Sequence, residues 1–543
     1  MALTLSFSLS TSATRVPVSS FKRLPIRMPT VKAVGVFPSK RIDHKRAIRI
    51  RPCSASDDST AAVADTTTTT TTTTTTVTRD DFPADFKFGC ATSALQTEGS
   101  GLEGGRKPSS WDIQIQDSKT EAIDIATNSY HRYKEDVQLL KNMGVDTYRF
   151  SISWSRILPV GTIAGGINQK GIDFYNNFID ELIANGITPF VTLFHFDLPT
   201  PLDSSYNGFL SSNIVEDFKA YADLCFKTFG DRVKYWATIN EPQVWGPYGF
   251  GSPGPNANAI TDPLVSSHNI ILAHATAAKL YKNTYQATQG GEIGIPLAVQ
   301  WFEPYNGNGN FQDENASRRA FDFSTGWFLE PLVYGDYPFI MRALLGDQLP
   351  EFTDEQKELV KGSYDYIGVN YYTSYFAEAT PISNEDVYTS YTQYMHATVT
   401  SVGPDGNTIG PPTPGSSAIF VYPEGLRKAL IFMKNYENPK IYVTENGYPE
   451  LRDDSIPIET ALIDDARIQH IQEHLTAIKR ARNIGGTNVM GYLMWALLDC
   501  MEMGSPYQVR FGLNYTDYLN NLARTPKKSA GWLKDWLAAS TST

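Results

Sequence analysis

Tyr235-Trp236-Ala237-Thr238-Ile239-Asn240-Glu241-Pro242 reads as a short apolar strand that stops on an amide and a carboxylate. Lys440-Ile441-Tyr442-Val443-Thr444-Glu445-Asn446-Gly447 has the same form, about two hundred residues later. Working outward from these two, six more apolar runs read as strands: Lys87–Thr92, Thr147–Ser153, Thr188–His195, Glu292–Gln300, Tyr366–Tyr371 and Val489–Leu497. Longer stretches with helical spacing of apolar residues separate them, among them Gln169–Asn185, Asn213–Phe229 and Glu459–Asn483. Eight strand–helix alternations predict an α/β protein with one closed (β/α)8, or TIM, barrel and loop insertions. Several runs are apolar throughout, as strands buried on both faces require. In such a barrel the chemistry gathers at the C-terminal ends of the strands.

The strand ends are unusually polar. The third ends in Phe194-His195-Phe196-Asp197, the sixth in Asn370-Tyr371-Tyr372, and the eighth runs Met494-Trp495-Ala496-Leu497-Leu498-Asp499. Gln96 and Glu98 lie just beyond the first. Any one of these is a weak signal, but the ordered set at successive strand ends is specific. Glu241 and Glu445 would face each other across the barrel mouth. Cleaving a glycosidic bond needs a proton for the leaving oxygen and negative charge on the far side of an oxocarbenium-like transition state, which two carboxylates supply. Two like charges held close raise one pKa, so that one carboxyl stays protonated near neutral pH.

Further motifs complete the pattern: Phe88-Gly89-Cys90-Ala91-Thr92-Ser93, Tyr148-Arg149-Phe150-Ser151-Ile152-Ser153-Trp154-Ser155-Arg156, Gly326-Trp327-Phe328-Leu329-Glu330-Pro331 and Arg510-Phe511-Gly512-Leu513. With Asn240-Glu241-Pro242 and Thr444-Glu445-Asn446-Gly447, the set resembles glycoside hydrolase family 1, the plant β-glucosidases, from about Asp80 to Leu537. The resemblance implies a retaining β-glycosidase with Glu241 as acid/base and Glu445 as nucleophile. It further implies that Asn240 holds the sugar 2-hydroxyl and that Tyr372 hydrogen-bonds the nucleophile. Gln96, His195 and Glu502 would bind sugar hydroxyls, Trp495 would stack beneath the ring, and Arg149 would keep Glu445 charged. The expected substrate is a small-molecule glycoside of plant specialised metabolism.

One wall departs from the family. Where members carry Asp-Asn-Phe-Glu-Trp, this chain has Asp499-Cys500-Met501-Glu502-Met503, followed by Gly504-Ser505-Pro506-Tyr507. Met503 cannot donate the hydrogen bond of an indole. The change reads either as a filler, since methionine adapts to irregular space, or as a pocket opened beside the glucose 6-hydroxyl for a second sugar. The second reading is similar to the disaccharide-releasing, furcatin hydrolase-type members, which remove a 6-O-pentosyl-glucose such as apiosyl-glucose. The alternative is a simple β-glucosidase that activates defence glucosides. A thioglucosidase would carry Gln at Glu241, Glu502 would repel the phosphate of a phospho-glycosidase substrate, and an inactive sugar-binding or storage protein need not keep both glutamates.

Residues 1–53 hold eleven Lys or Arg against the single acid Asp43, so that segment is +10; with a whole-chain charge of −11, the remainder carries −21. So acidic a body excludes nucleic acid as a partner. No apolar run of membrane-spanning length exists. The basic, acid-poor start predicts a plastid transit peptide over residues 1–53, and the eleven threonines Thr66–Thr76 place a flexible spacer over 54–79 before a catalytic domain at 80–543. The cysteines, Cys53, Cys90, Cys225 and Cys500, show neither disulfide-framework nor metal spacing. No metal or organic cofactor is expected. The sequons Asn315-Ala316-Ser317 and Asn514-Tyr515-Thr516 matter only on a secretory route. The sequence leaves room for a homo-oligomer.

Overall fold

The computed structural model describes residues 76–112, 125–248, 257–383 and 386–539. The expected presequence, 1–53, and residues 54–75 of the expected spacer lie outside the described residues. The core begins at Val77, three residues ahead of the expected start, because its carbonyl accepts the Trp536 indole N–H at 2.9 Å and its side chain is buried.

Eight strands form the barrel: β1 Lys87–Ala91, β2 Thr147–Ser151, β3 Thr188–Phe194, β4 Tyr235–Ile239, β5 Glu292–Ala298, β6 Tyr366–Asn370, β7 Ile441–Glu445 and β8 Val489–Trp495. Each pairs in parallel with its neighbours in chain order, and β8 closes on β1. Every expected strand is present. Helices Gln169–Ala184 and Asn213–Phe229 also match the expected spans to within a residue. The stretch expected as one helix over 459–483 is broken into Ile458–Ala461 and Asp465–Asn483. The break falls at Asp464, whose carboxylate accepts the Ser529 backbone N–H at 2.8 Å and pairs with Arg467.

Alternation along each strand separates two cores. On β3, Val191 and Leu193 join the large cluster between barrel and helices, while Phe190 and Thr192 face the axis. Phe190, Tyr366, Tyr442 and Leu493 close the barrel floor, with Phe190 edge-on to both tyrosines. Tyr366 donates to Trp236 O at 2.7 Å. Gly294 leaves room for it: a Cβ there would meet the Tyr366 ring at 2.6 Å. The polar chemistry therefore sits above this floor.

The insertions are regular. Trp301–Pro304, Ser374–Ala379 and Ala397–Thr400 make a three-stranded sheet, and Pro412–Thr413 pairs with Ser416–Phe420 in a hairpin. Asn514 of the second sequon is fully buried, with its amide on Leu497 O at 2.8 Å, whereas Asn315 of the first is exposed. Among the described residues no helix is long and apolar enough to cross a membrane.

Candidate active site

Arg149 stands mid-strand on β2, fully buried beneath the mouth. Its guanidinium donates to Glu445 Oε1 at 2.5 Å, Asn240 Oδ1 at 2.6 Å and Thr192 Oγ1 at 3.1 Å, and more distantly to Thr444 O at 3.4 Å. Tyr372, two residues past β6, donates to the other nucleophile-candidate oxygen, Glu445 Oε2, at 2.8 Å. Glu445 is the last residue of β7 and is fully buried. Burial lifts its pKa, and the Arg149 charge and hydrogen bond act against that lift and favour the charged carboxylate.

Glu241 follows β4 and is also buried. Its backbone is left-handed, φ 44°, a conformation that costs a non-glycine residue about 1–3 kcal/mol and that clusters at functional sites. The bend is pinned by Glu241 N–H to Pro296 O at 2.9 Å. Burial, and then the nearby Glu445 charge, push its carboxyl up, and an Asn370 hydrogen bond offsets this only in part. The two carboxylates are thus split, one held charged and one held protonated. That is the division a glycosidase needs.

Asn240 Oδ1 is occupied by Arg149 and by Asn370 Nδ2 at 3.1 Å, which turns its own amide N–H2 toward His195 Nε2 at 3.2 Å. His195, one residue past β3, must accept there, so its proton sits on Nδ1. Burial keeps the imidazole neutral. Its ring lies nearly parallel to Trp495, at 18° and 5.9 Å between centroids.

The opposite wall is built from β1 and the loop after β8. Gln96, in the short helix Ala94–Thr97, donates to Met501 O at 2.7 Å and to Glu502 Oε2 at 3.4 Å. Ser93 fixes the other end of that amide, Oγ to Oε1 at 2.7 Å. Glu502 Oε1 receives the Trp495 indole N–H at 3.2 Å and the Cys500 thiol at 3.7 Å. Burial raises the Glu502 carboxyl, and Glu445 adds to the effect. Burial likewise keeps Cys500 a thiol. Met503 stands apart. It belongs to the large buried core, as Met501 and Tyr507 do, whereas Tyr372, Trp495 and Cys500 share a smaller cluster with Ile419 of the hairpin.

The structure therefore draws Gln96, Arg149, His195, Asn240, Tyr372, Glu445, Trp495 and Glu502 into one chain of contacts, and joins Glu241 to it through Asn370. Sequence reasoning gave no role to Asn370, Thr444 or Thr192. Asn370 was within its reach, since it ends a predicted strand beside Tyr371-Tyr372. Thr444 was too, since it ends a predicted strand beside Glu445, whereas Thr192 lies inside one and carried no such signal. Among the described residues no group of three or more His, Cys, Asp or Glu is arranged to hold a metal.

A barrel with two split carboxylates in a buried polar mouth defines a glycosidase. The sequence pattern of Glycosyl hydrolase family 1 matches residues 78–541. Beta-glucosidase 12 of Oryza sativa subsp. japonica is 47% identical over 481 residues, covering 85% of this chain and 93% of its own length. A chloroplastic Zea mays enzyme, 4-hydroxy-7-methoxy-3-oxo-3,4-dihydro-2H-1,4-benzoxazin-2-yl glucoside beta-D-glucosidase 2, is 46% identical and covers 85% of both chains. A rice β-glucosidase variant, solved in a covalent complex with glucose from GA4GE, superposes with a TM-score of 0.81 at 40% identity, covering 84% of this chain and 99% of its own. The chain belongs to glycosyl hydrolase family 1. It is a glycoside hydrolase of the retaining β-glucosidase type.

Proposed function

We propose that this enzyme hydrolyses the β-glycosidic bond between glucose and the aglycone of a plant specialised-metabolite glycoside, with Glu445 as nucleophile and Glu241 as acid/base. The observation that carries this reading is the opposite electrostatic treatment of the two buried carboxylates, Arg149 and Tyr372 on Glu445 and burial beside that charge on Glu241. In the first step a Glu445 oxygen bonds to the anomeric carbon, the glycosidic C–O bond breaks toward the leaving oxygen, and Glu241 gives that oxygen its proton. In the second, Glu241 takes a proton from water as the water oxygen displaces Glu445 from the anomeric carbon. Asn240 takes the sugar 2-hydroxyl, Gln96, His195 and Glu502 take other hydroxyls, and Trp495 supports the ring.

The glycone in this reading is glucose itself, as in the names of the rice and maize relatives. A second reading, release of a 6-O-pentosyl-glucose, is favoured by one observation. Met503 follows Glu502 where the family carries a tryptophan, and a thioether cannot donate the hydrogen bond that indole would. The chloroplastic maize relative supports a plastid address.

A 2-deoxy-2-fluoro-glucosyl inactivator should label Glu445, and the first-formed sugar should keep its β configuration. Label on another residue, or an inverted first product, overturns the assignment. Offering an aryl β-glucoside beside an aryl 6-O-pentosyl-glucoside, and identifying the sugar released, decides the glycone. A fusion of residues 1–80 to a fluorescent protein should enter plastids, and accumulation in the vacuole or apoplast overturns that address.

A further inference from the structure

We propose that Asn370 is a positioning residue for the acid/base, anchoring Glu241 Oε1 so that Oε2 is the oxygen that delivers and recovers the proton. The inference rests on the reading of Glu241 given above and assigns the reacting atom within it.

Asn370 ends β6, and its amide is fixed at both ends. Its Oδ1 accepts the Thr444 hydroxyl at 2.7 Å, so its N–H2 must face strand four, where it donates to Glu241 Oε1 at 3.0 Å and Asn240 Oδ1 at 3.1 Å. An oxygen that accepts an N–H bond is a poor place for the carboxyl proton, because the hydroxyl oxygen of an acid is the weaker acceptor. The proton therefore resides on Oε2. That atom is buried and has no hydrogen-bond partner among the described residues, so it is the oxygen left to face a glycosidic oxygen or a water. As the leaving alcohol takes the proton, the Oε2–H bond breaks and Glu241 becomes a carboxylate that the Asn370 N–H stabilises. In the second step Oε2 regains a proton from the attacking water. Thr444 adjoins Glu445, so one amide ties the geometry of the acid/base to the strand that bears the nucleophile.

The test compares leaving groups in the full chain. Phenyl β-glucoside needs its leaving oxygen protonated, and 2,4-dinitrophenyl β-glucoside does not. Rates are expressed per site titrated by the fluoroglucosyl label, which counts only folded, nucleophile-competent enzyme. Asn370→Ala should lower kcat/KM for the phenyl substrate roughly tenfold and for the dinitrophenyl substrate by less than about threefold. The basic limb of its pH profile should move to higher pH, because losing an N–H donor to the carboxylate raises the Glu241 pKa. Thr444→Val, which frees the amide to turn, should shift both readouts the same way by less. Equal losses on the two substrates with an unmoved basic limb would overturn the role of Asn370. Glu241→Ala in the same assays separates the two claims. If it too ignores the leaving group, the acid/base assignment falls. If it is leaving-group dependent while Asn370→Ala is not, only the anchoring falls.

Discussion

The two sides of the barrel mouth are built differently. On the side of β2, β4, β6 and β7, each polar group is bonded to at least one other: Arg149 holds Glu445 and Asn240, and Asn370 holds Asn240, Glu241 and Thr444. These donors spring from strands or from the first residues after them. On the side of β1 and β8, Glu502 and Met503 stand on an irregular loop, and the bonds reaching Glu502 are longer, 3.2 Å from Trp495, 3.4 Å from Gln96 and 3.7 Å from Cys500. The first side keeps the family's residues and the second departs at Cys500, Met501 and Met503. A network in which every group is constrained by others tolerates little change, because an unpaired buried charge costs several kcal/mol. A carboxylate whose side-chain bonds are long leaves its neighbours freer to change one residue at a time. The chemistry proposed for Glu241 and Glu445 thus lies on one side, and the proposed glycone selectivity on the other.

The comparison is most easily broken from the chemical side. Glu445→Ala should lose on the order of 10⁴-fold or more in kcat, measured on an aryl glucoside; a variant retaining a tenth of its activity would show that the rigid side is not where bond cleavage occurs. Glu241→Ala should lose about 10²–10⁴-fold on substrates with poor leaving groups and far less on activated ones. In the intact enzyme the pH profile of kcat/KM should be a bell. Activity falls in acid as Glu445, whose carboxylate Arg149 favours, takes up a proton, and falls in base as Glu241, held high by burial, gives one up. Replacing Arg149 with Met should raise the acid limb, since that charge and hydrogen bond favour the Glu445 carboxylate; an unmoved limb would detach the limb from this pair.

The smallest effect belongs to the variable wall. Met503→Trp should restore an indole donor near the glucose 6-hydroxyl and favour plain glucosides over 6-O-pentosyl-glucosides by a hydrogen bond's worth, about 0.5–1.5 kcal/mol in the ratio of kcat/KM values. Because Met503 is buried in the large core, stability should be followed by thermal melting in the same experiment. An unchanged ratio in a wild type that prefers plain glucosides makes Met503 a core filler.

What could be read in the sequence follows the same division. The strands were legible because they are short, apolar and buried on both faces, a local property. The carboxylates were legible because they end such strands. Asp464 was not, since its helix-breaking bonds go to Ser529, 65 residues away. Nor was the role of Asn370, which depends on which way an amide points, and that is settled by a hydroxyl 74 residues further on. Met503 could be seen to differ, but its direction depends on how the loop after β8 closes, with Glu502 N–H on Pro506 O at 2.8 Å.

The aromatic floor carries a consequence for traffic. Phe190, Tyr366 and Tyr442 are buried side by side below the site and stopper the barrel at that end, which leaves the mouth above as the doorway for substrate and products. With Glu241 and Glu445 acting as proposed, a glycoside enters with its glycone leading. Departure runs in the reverse order. The aglycone stands nearest the exit and must clear it before water can approach the bound sugar, and the sugar is last out. An alcohol waiting at that doorway would compete with water for the same vacated place. At high alcohol concentration the enzyme should build new glycosides as well as break old ones.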